Sequence, residues 1–422
     1  MQIRILSLLF FSIFYCNNLC NGQQLEYAQK VINKLCSNEF EGRGYVNLGD
    51  RLAANYISSQ FELNGLQKFG ENYFQFFDFS VNTFPGTMDL IVDGKELYPG
   101  VDYLIHPASK GGRCKATCII VRKPPGDLKK NEHKGKWLVV DKSKLDSKDD
   151  KRKMDTWLSN PGNAEGVIVL EEKKLTWHVS REVKKYPIVV ILQDSWNNDD
   201  AEVELKLKNK FEKKHHVPNV LGYVKGSKFP EKYIVFSAHY DHLGRMGQET
   251  IFPGANDNAS GVSMLLNMAR HFAQADNQPE HSILFIAFAG EEAGLVGSAY
   301  YTQHPIVELE KMSFLINLDL LGTGDEGMMV VNGKIHQEEF EAIKTINDEK
   351  KYLPIIKSRG KAANSDHYYF SEKGVPSFFF YTLGGIEAYH DVNDIADTLP
   401  LTEYEDLFNL ILDFHRYLDI VE

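Results

Sequence analysis

The sequence predicts an α/β protein with a mixed, largely parallel sheet, helices on both faces, and a smaller, mainly β domain inserted into it. From about residue 217 onward, β-type runs alternate with amphipathic helical patterns, as is typical of sheets with crossover helices. Between about residues 86 and 214, short β-type runs are separated instead by Lys-rich polar connections. We therefore predict two domains with different architectures.

Length and composition are consistent with this prediction. A chain of 422 residues is long for one domain. Its 43% hydrophobic and 25% charged residues are typical of a globular protein with a substantial core. The net charge of −11 argues against a nucleic-acid partner, because phosphate contacts require clustered Lys and Arg side chains.

The first residues have the pattern of a secretory signal peptide. Arg4 precedes an apolar run over 5–14, and small polar residues follow. A transmembrane helix needs about 20 apolar residues, roughly twice this run. A lipid anchor on Cys16 or Cys20 is an alternative, disfavoured by the bulky residue before each cysteine. We predict a signal peptide over 1–22 and a secreted or periplasmic protein without a transmembrane helix.

Three cysteines remain after residue 22, namely Cys36, Cys114 and Cys118. Cys114 and Cys118 could form a disulfide in an oxidising compartment. They could also form half of a zinc site, but no second pair of Cys or His lies nearby in the sequence. We interpret them as structural.

The predicted elements follow hydrophobic periodicity. Residues 26–64 form two helices separated by the turn-rich EFEGRGYVNLGD, and 73–84 form an aromatic strand. The middle region has predicted strands at 136–141, 166–170 and 186–192. The last region has predicted strands at 233–238, 282–289, 314–320 and 375–381, and predicted helices at 259–275, 295–303 and 401–421. The apolar run SILFIAFA indicates a strand covered on both sides.

Acidic and imidazole side chains follow these predicted strands. The set comprises His239, Asp241, His242, Asp257, Glu291, Glu292, Asp319 and His390. Sites in open α/β sheets form outside the carboxyl ends of the strands, so we expect these groups to lie together. Each residue alone could equally be a helix cap, a turn former or a surface group. Their joint occurrence at successive strand ends predicts a metal site.

Five separated motifs carry a family resemblance. HYDH, GANDNASG, AGEEAGLVGS, NLD and YHDVND occur in the order found in the M28 family of co-catalytic zinc peptidases, and the chain resembles its aminopeptidase-like branch over about 217–400. The middle segment is similar to the protease-associated domain of two-domain members. The resemblance implies a zinc-exopeptidase fold whose catalytic domain combines 23–85 with 215–422, and an inserted domain at 86–214.

Specific roles are implied by the same resemblance. Two Zn²⁺ ions, or Co²⁺ or Mn²⁺ in their place, would be held by His239, Asp257, Glu292, Asp319 and His390. Asp257 would bridge the ions, with His239 and Asp319 on one and Glu292 and His390 on the other. Glu291 would be the general base, and Asp241 would orient His239.

Further residues are candidates for substrate contact or for support of the ligands. NSDHYYF resembles a family segment on the substrate side of the site, although a helix cap is an equal alternative for its first residues. Asp394 could support His390 or cap a turn, and we interpret His242 as structural. The candidates are Ser365, Asp366, His367, Tyr381 and Asp394, with Gly384 and Gly385 as shaping residues.

These observations favour an exported di-zinc aminopeptidase that hydrolyses the N-terminal bond of peptide substrates. Three alternatives remain open. A glutaminyl cyclase-like acyltransferase would use one zinc, and a carboxypeptidase would need a basic pocket that we do not find in the sequence. A binding ectodomain on the same scaffold would have no activity.

Overall fold

A computed structural model describes residues 24–126, 129, 131–143, 145 and 147–420. The predicted signal peptide over 1–22 lies outside the described residues. The strands are β1 (Phe74–Thr83), β2 (Met88–Val92), β3 (Lys95–Leu97), β4 (Tyr103–Ile105), β5 (Gly112–Val121), β6 (Trp137–Asp141), β7 (Gly166–Glu171), β8 (Ile188–Leu192), β9 (Glu202–Leu207), β10 (Lys210–Val224), β11 (Phe229–His239), β12 (Gly244–Met246), β13 (Thr250–Phe252), β14 (His281–Phe288), β15 (Met312–Leu318), β16 (Met328–Val331), β17 (Ile356–Arg359) and β18 (Ser377–Thr382).

The α-helices follow the same chain order. They are α1 (24–35), α2 (Gly49–Leu63), α3 (Lys148–Met154), α4 (Gly261–Phe272), α5 (Val296–Gln303), α6 (Gln337–Lys350), α7 (His367–Glu372) and α8 (Tyr404–Ile420). Within the described part of the chain, no helix has both the length and the apolar character needed to cross a bilayer.

The first sheet has eight strands in the order β1-β10-β14-β11-β15-β18-β16-β17. Its centre is parallel, since β11 pairs in parallel with β14 and β15, and β15 with β18. Antiparallel pairs join β10 to β1 and β14, and β16 to β18. The predicted fold class, a mixed and largely parallel sheet, is confirmed.

Both faces of this sheet are covered. Every residue of β14 is buried, and its side chains alternate between two apolar clusters. Ile283 and Phe285 point into the cluster built with α1, α2, α4 and α8, whereas Leu284 and Ile286 point into the cluster that includes Tyr301 of α5 and Phe370 of α7. The period of two along an apolar strand is what a doubly covered sheet requires.

The second sheet also has eight strands, in the order β3-β2-β9-β5-β6-β7-β8-β4. Trp137 and Val139 of β6 face one apolar cluster, and Leu138 and Val140 face another that contains Met154 at the end of α3. The first of these clusters also includes Phe252 and other residues of the β11–α4 connection. The two sheets therefore share apolar contacts along the segment that leads to Asp257.

The structure adds elements that periodicity did not reveal. Strand β10 is 15 residues long and joins both neighbours in the first sheet. Helix α6 buries only Phe340, Ile343 and Asn347 of its 14 residues, so its apolar face is too narrow to stand out in the sequence.

The three cysteines among the described residues, Cys36, Cys114 and Cys118, are free thiols. Cys114 and Cys118 both lie in β5 and pair with residues of different strands, Leu205 and Trp137. Four residues of extended strand separate them by roughly 13 Å, well beyond the Cα separation of a disulfide. The disulfide considered from the sequence is therefore excluded by the strand geometry.

Candidate metal centre

The residues singled out from the sequence lie at one edge of the first sheet. His239 ends β11, and Asp319 directly follows β15. Glu291 and Glu292 follow β14, and Asp257 lies in the loop before α4. His390 comes from the loop after β18, and its contacts with Asp257 and Glu292 bring it to the same place. The parallel centre of the sheet gathers side chains that are far apart in sequence.

Asp257 directs one carboxylate oxygen towards each of two imidazoles. Its Oδ1 lies 3.3 Å from Nε2 of His239, and its Oδ2 lies 3.0 Å from Nε2 of His390. Nε2 of His239 is also 3.4 Å from Oδ1 of Asp319, and Nε2 of His390 is 3.2 Å from Oε2 of Glu292. Asp257 is thus shared by two clusters of an imidazole and a carboxylate.

These separations fit zinc ligands. Two ligand atoms about 2.0 Å from one tetrahedral ion lie about 3.3 Å apart, which is the spacing found between Asp257, His239 and Asp319. Oδ1 of Asp319 is buried and has no hydrogen-bond partner among the described residues. Burial of several carboxylates around two imidazoles is costly without compensating cations. The residues present therefore fit a metal centre.

Two groups of three side chains could each hold an ion within the described part of the chain. One comprises His239, Glu291 and Asp319, and the other comprises His242, Asp257 and Glu292. His242 is fully buried, and its Nδ1 lies 2.8 Å from Oε1 of Glu292, while its Nε2 has no hydrogen-bond partner. His242 therefore contacts the candidate ligand Glu292 directly, whereas the sequence had suggested only a structural role for it.

Asp241 lies directly behind the centre and is fully buried. Its carboxylate accepts hydrogen bonds from the Tyr45 hydroxyl at 2.5 Å and from the backbone amides of Glu291 and Glu292 at 3.1 and 3.3 Å. Burial raises the pKa of Asp241 to about 6, although His239 and Tyr45 oppose this effect. Asp241 therefore fixes the start of the Glu291–Glu292 turn, while Nδ1 of His239 lies 3.1 Å from the backbone oxygen of Asp241.

Glu291 lies in an environment that disfavours its charge. Burial raises the pKa of its carboxyl well above the usual range, His239 opposes this, and Glu292 and Asp366 raise it further. Glu292 behaves in the opposite way. Burial raises its pKa, but His390 and the hydrogen bonds from His242 and His390 outweigh this and lower it to about 2. The two neighbouring acids therefore have strongly separated proton affinities, which is a common feature of acid–base sites.

Ser365 belongs to a chain of buried hydrogen bonds that ends at Asp319. Ser237 donates to Oδ1 of Asn317 at 2.7 Å, and Nδ2 of Asn317 donates to Ser365 at 2.8 Å. Ser365 in turn donates to Oδ2 of Asp319 at 2.7 Å. This chain leaves Oδ1 of Asp319 directed at His239.

Asp366 and His367 are buried behind the centre, outside the cleft. Burial raises the pKa of Asp366 to about 7 and lowers that of His367 to about 4. His367 packs against Phe379 with ring centroids 5.4 Å apart and begins α7. Both residues therefore support the site from within the protein.

Asp394 binds the loop that carries Asp257. Its two oxygens accept the backbone amides of Asn256 at 2.8 Å and Asp257 at 3.0 Å. The sequence suggested that Asp394 supports His390 or caps a turn. Its hydrogen bonds instead hold the loop of Asp257. It therefore positions a candidate ligand through the backbone.

A cleft of about 210 Å³ opens above the centre. Beside the candidate ligands and Glu291, its lining comprises Leu320, Asn364, Phe379, Tyr381 and Tyr389. No Lys or Arg is among the lining residues of the described chain. Gly384 and Gly385 lie instead against Thr323 and Asp325, so they do not line the cleft.

Sequence reasoning missed Arg43 and Tyr45. Arg43 is fully buried, has a positive φ of 53°, and donates to the backbone oxygens of Tyr240, Pro253 and Gly254 at 3.0, 2.6 and 2.7 Å. The sequence EFEGRG, which contains Arg43, resembles two-domain M28 members, but the turn-rich loop in which both residues lie gives neither of them a predicted role. An arginine between two glycines before a tyrosine is too weak a signal to predict contacts about 200 residues away.

The chain is similar in sequence to known peptidases. Residues 219–415 match the model of Peptidase family M28. The chain is 31% identical over 227 residues to aminopeptidase YwaD of Bacillus subtilis, covering 51% of this chain and 48% of that protein. It is 40% identical over 115 residues to a probable zinc metalloprotease of Pyricularia oryzae, covering 26% of this chain and 22% of that protein. The chain thus spans about half, or less, of the curated relatives that it matches.

Solved structures share the fold. A zinc aminopeptidase from Bacillus subtilis superposes with a TM-score of 0.67 at 21% identity, covering 93% of this chain and 94% of that chain. An aminopeptidase from an Aneurinibacillus strain superposes with a TM-score of 0.64 at 19% identity, covering 93% of both chains. The segment 219–415, which contains all five motifs, thus matches peptidase family M28, and the solved structures share the fold of the described chain.

Proposed function

We propose that this protein is a di-zinc aminopeptidase, which removes the N-terminal residue of peptides. The observation that carries the proposal is the division of the Asp257 carboxylate between His239 and His390, at 3.3 and 3.0 Å. A carboxylate that offers one oxygen to each cluster is suited to bridge two ions. The M28 relatives support the reaction class, since one is named an aminopeptidase and another a probable zinc metalloprotease.

We assign His239, Asp257 and Asp319 to one zinc, and Asp257, Glu292 and His390 to the other. His390 is preferred to His242 as a ligand because its Nε2 faces both Asp257 and Glu292, whereas Nδ1 of His242 faces Oε1 of Glu292. Zinc bound here would lower the pKa of a water molecule and polarise the substrate carbonyl.

Glu291 has the position and environment of a general base. It lines the cleft beside the ligands and is assigned to neither zinc, so its carboxylate is available to accept a proton from the attacking water and to return it to the leaving amine. Asp241 holds the Glu291 amide and so positions this side chain. The side chains of Phe379, Tyr381 and Tyr389 give the cleft an apolar wall for the substrate's terminal residue.

The residues that line the cleft offer no cationic partner to a carboxyl terminus. Four carboxyl side chains line it, those of Asp257, Glu291, Glu292 and Asp319, and two imidazoles are its titratable nitrogen groups among the described residues. Two Zn²⁺ ions would offset these four negative charges, so the argument rests on the lining, in which a terminal carboxylate gains no lysine or arginine partner among the described residues.

One observation keeps the carboxypeptidase alternative under test. The exposed Arg359 lies just outside the cleft, with its Nη1 3.4 Å from the hydroxyl of Tyr381, which lines the cleft. If carboxyl-terminal hydrolysis is the activity, Arg359→Ala would raise KM for carboxyl-terminal substrates more than tenfold. If the protein is an aminopeptidase, Arg359→Ala should change KM and kcat for short aminoacyl substrates little.

The function is tested with aminoacyl chromogenic substrates, amino-blocked peptides and carboxyl-terminal probes, on protein of measured zinc content. We expect hydrolysis of aminoacyl substrates, two zinc ions per chain and loss of activity with a chelator. Hydrolysis restricted to amino-blocked peptides would contradict the aminopeptidase assignment. A single zinc at saturation would favour the glutaminyl cyclase-like alternative, and an inert zinc-loaded protein would favour the binding ectodomain.

The general base is tested by Glu291→Gln. We expect kcat to fall by about 10²–10⁴-fold because the proton acceptor is lost. Zinc content should remain two ions per chain, with Glu349→Gln on the exposed face of α6 as a matched control. Loss of zinc in Glu291→Gln would identify Glu291 as a ligand instead.

Export completes the proposed function. The signal-like pattern over 1–22 supports secretion or entry into a periplasm. Sequencing the amino terminus of the protein recovered outside the producing cell tests this proposal, with cleavage expected near residues 20–22. An uncleaved protein retained inside the cell would contradict it.

A further inference from the structure

A short segment of the second sheet contacts the loop that carries the candidate ligand His390. This segment, Lys174–His178, lies in the connection between β7 and β8. Trp177 and His390 exchange two hydrogen bonds. The Trp177 amide donates to the His390 backbone oxygen at 2.9 Å, and Nδ1 of His390 lies 2.9 Å from the Trp177 backbone oxygen.

These contacts place a proton on Nδ1 of His390. A carbonyl oxygen only accepts, so Nδ1 of His390 must be the donor to Trp177. Nδ1 of His178 lies 3.2 Å from the same nitrogen and is a second acceptor beside it. Nε2 is then the ring nitrogen available to a metal ion, and it lies 3.0 Å from Oδ2 of Asp257 and 3.2 Å from Oε2 of Glu292, the carboxylates that would share this ion.

Lys174 adds an ionic contact to the same loop. Its Nζ lies 2.6 Å from Oδ2 of Asp391 and donates to the backbone oxygen of Glu387 at 2.7 Å. Asp391 follows His390 directly, and its residue surface is only 7% exposed. The ion pair therefore holds the backbone that follows His390, and its acceptor, Asp391, is largely shielded from solvent.

The Lys174–His178 segment is itself firmly held by the second sheet. Trp177 is buried, stacks on Phe252 with ring centroids 4.7 Å apart, and donates through Nε1 to the backbone oxygen of Ile105 in β4 at 2.8 Å. Leu175 is buried in the same apolar cluster. His390, in contrast, has a left-handed backbone with φ of 53°, a conformation that a non-glycine residue keeps only when its surroundings enforce it.

We propose that the Lys174–His178 segment is a positioning element for the ligand His390, and that the second sheet thereby sets the affinity of one of the two zinc ions. The inference rests on the zinc assignment in the proposed function. It assigns His178 and Lys174 as positioning residues, because they act on the ion through His390 and its loop. Groups that orient a ligand histidine commonly change metal affinity by about 10–100-fold.

The test compares Lys174→Met, His178→Ala and the double variant of the full chain, with exposed Lys173→Met as the matched control. Zinc dissociation constants are measured by competition with a chromogenic chelator. We expect the double variant to raise one of the two dissociation constants about tenfold or more and to leave the other within about twofold. Asp391→Asn should reproduce the Lys174→Met effect, and combining them should add little, because each removes the same ion pair.

A second measurement does not depend on zinc. In chelator-treated protein, hydrogen exchange of the Trp177 amide and of residues 386–394 should be faster in the double variant than in Lys173→Met. Unchanged exchange, or two dissociation constants that rise equally, would overturn the positioning role. If the unaltered chain binds a single zinc and hydrogen exchange is still faster in the double variant, the di-zinc function is contradicted and the positioning role is kept. If the unaltered chain binds no zinc, both the proposed function and the positioning role are overturned.

Discussion

Asp241 is the residue on which several parts of the centre depend. Its carboxylate joins the Tyr45 hydroxyl to the amides of Glu291 and Glu292, and its backbone oxygen lies beside His239. Three hydrogen bonds hold this buried carboxylate, so the loss of one donor leaves two others to keep it in position. Tyr45 is the one donor of this set that comes from a side chain.

Tyr45→Phe tests this arrangement. We expect the free energy of unfolding to fall by about 1–2 kcal/mol, because a buried hydrogen bond to Asp241 is lost. We also expect kcat on aminoacyl substrates to fall by about tenfold, because the Glu291–Glu292 turn is less firmly held.

Tyr186→Phe is the matched control, since its hydroxyl donates to the backbone oxygen of Leu158 at 2.6 Å, near the second sheet. Chemical denaturation and steady-state kinetics measure both effects. An equal loss of activity in Tyr186→Phe would show that stability alone accounts for the change.

At the scale of elements, the N-terminal segment before α2 organises the loops at the sheet edge. Arg43 donates to backbone oxygens of the residue after β11 and of the loop that leads to Asp257. It also contacts the Asp257 backbone oxygen at 3.3 Å. A planar guanidinium group can serve several acceptors at once, which a lysine ammonium cannot reproduce in the same directions.

Arg43→Lys should therefore lower the free energy of unfolding by about 2–4 kcal/mol, because buried backbone oxygens lose their donors. The loss should appear as a lower denaturation midpoint in the zinc-free chain. Arg51→Lys on α2 is the control, since Arg51 donates to the His216 backbone oxygen at an exposed position. Similar midpoints for the two variants would contradict the role of Arg43.

At the scale of the whole molecule, residues from both sheets and from their connections contact the centre. The first sheet supplies the candidate ligands at its carboxyl edge, and the second contacts His390 through Trp177 and His178. The site is therefore a property of the complete fold, since its parts come from residues 43 to 394 of the chain.

Acid stability is a second property of the whole molecule. Burial lowers the pKa of His271 and of His415 to about 4, and both lie where α4 packs against α8. Their folded pKa lies below the ordinary value of 6.5, so the unfolded chain takes up protons first as the pH falls. Their stabilising contribution is present above pH 6.5 and is lost as the pH falls towards 4.

His415→Phe should reduce this acid sensitivity. Phenylalanine keeps the aromatic packing against Phe236 and Phe272 and cannot be protonated. We expect the loss of unfolding free energy between pH 6.5 and 4 to be smaller by up to about 3 kcal/mol than in the unaltered chain, measured by denaturation after chelation. Exposed His304→Phe should leave the pH dependence unchanged. An identical pH dependence for His415→Phe would contradict the assignment.

The sequence by itself determined the strand–helix alternation, the fold class and the residues at the strand ends. Apolar runs such as SILFIAFA are local signals, because a strand covered on both faces must be apolar throughout. The acidic and imidazole groups were predictable for the same reason, since they follow those runs directly. Helix α6 was missed because its buried face is narrow, and its position depends on packing with α8 rather than on its own pattern.

Only the tertiary structure decided how these residues act together. The division of the Asp257 oxygens between His239 and His390 depends on loops about 130 residues apart. The contacts of Arg43, Tyr45 and His178 with the centre leave no local trace, because no hydrophobic period marks a side chain whose partner lies far along the chain. Only the structure excluded the disulfide between Cys114 and Cys118. Both residues lie in strand β5, and an extended backbone places them too far apart to bond.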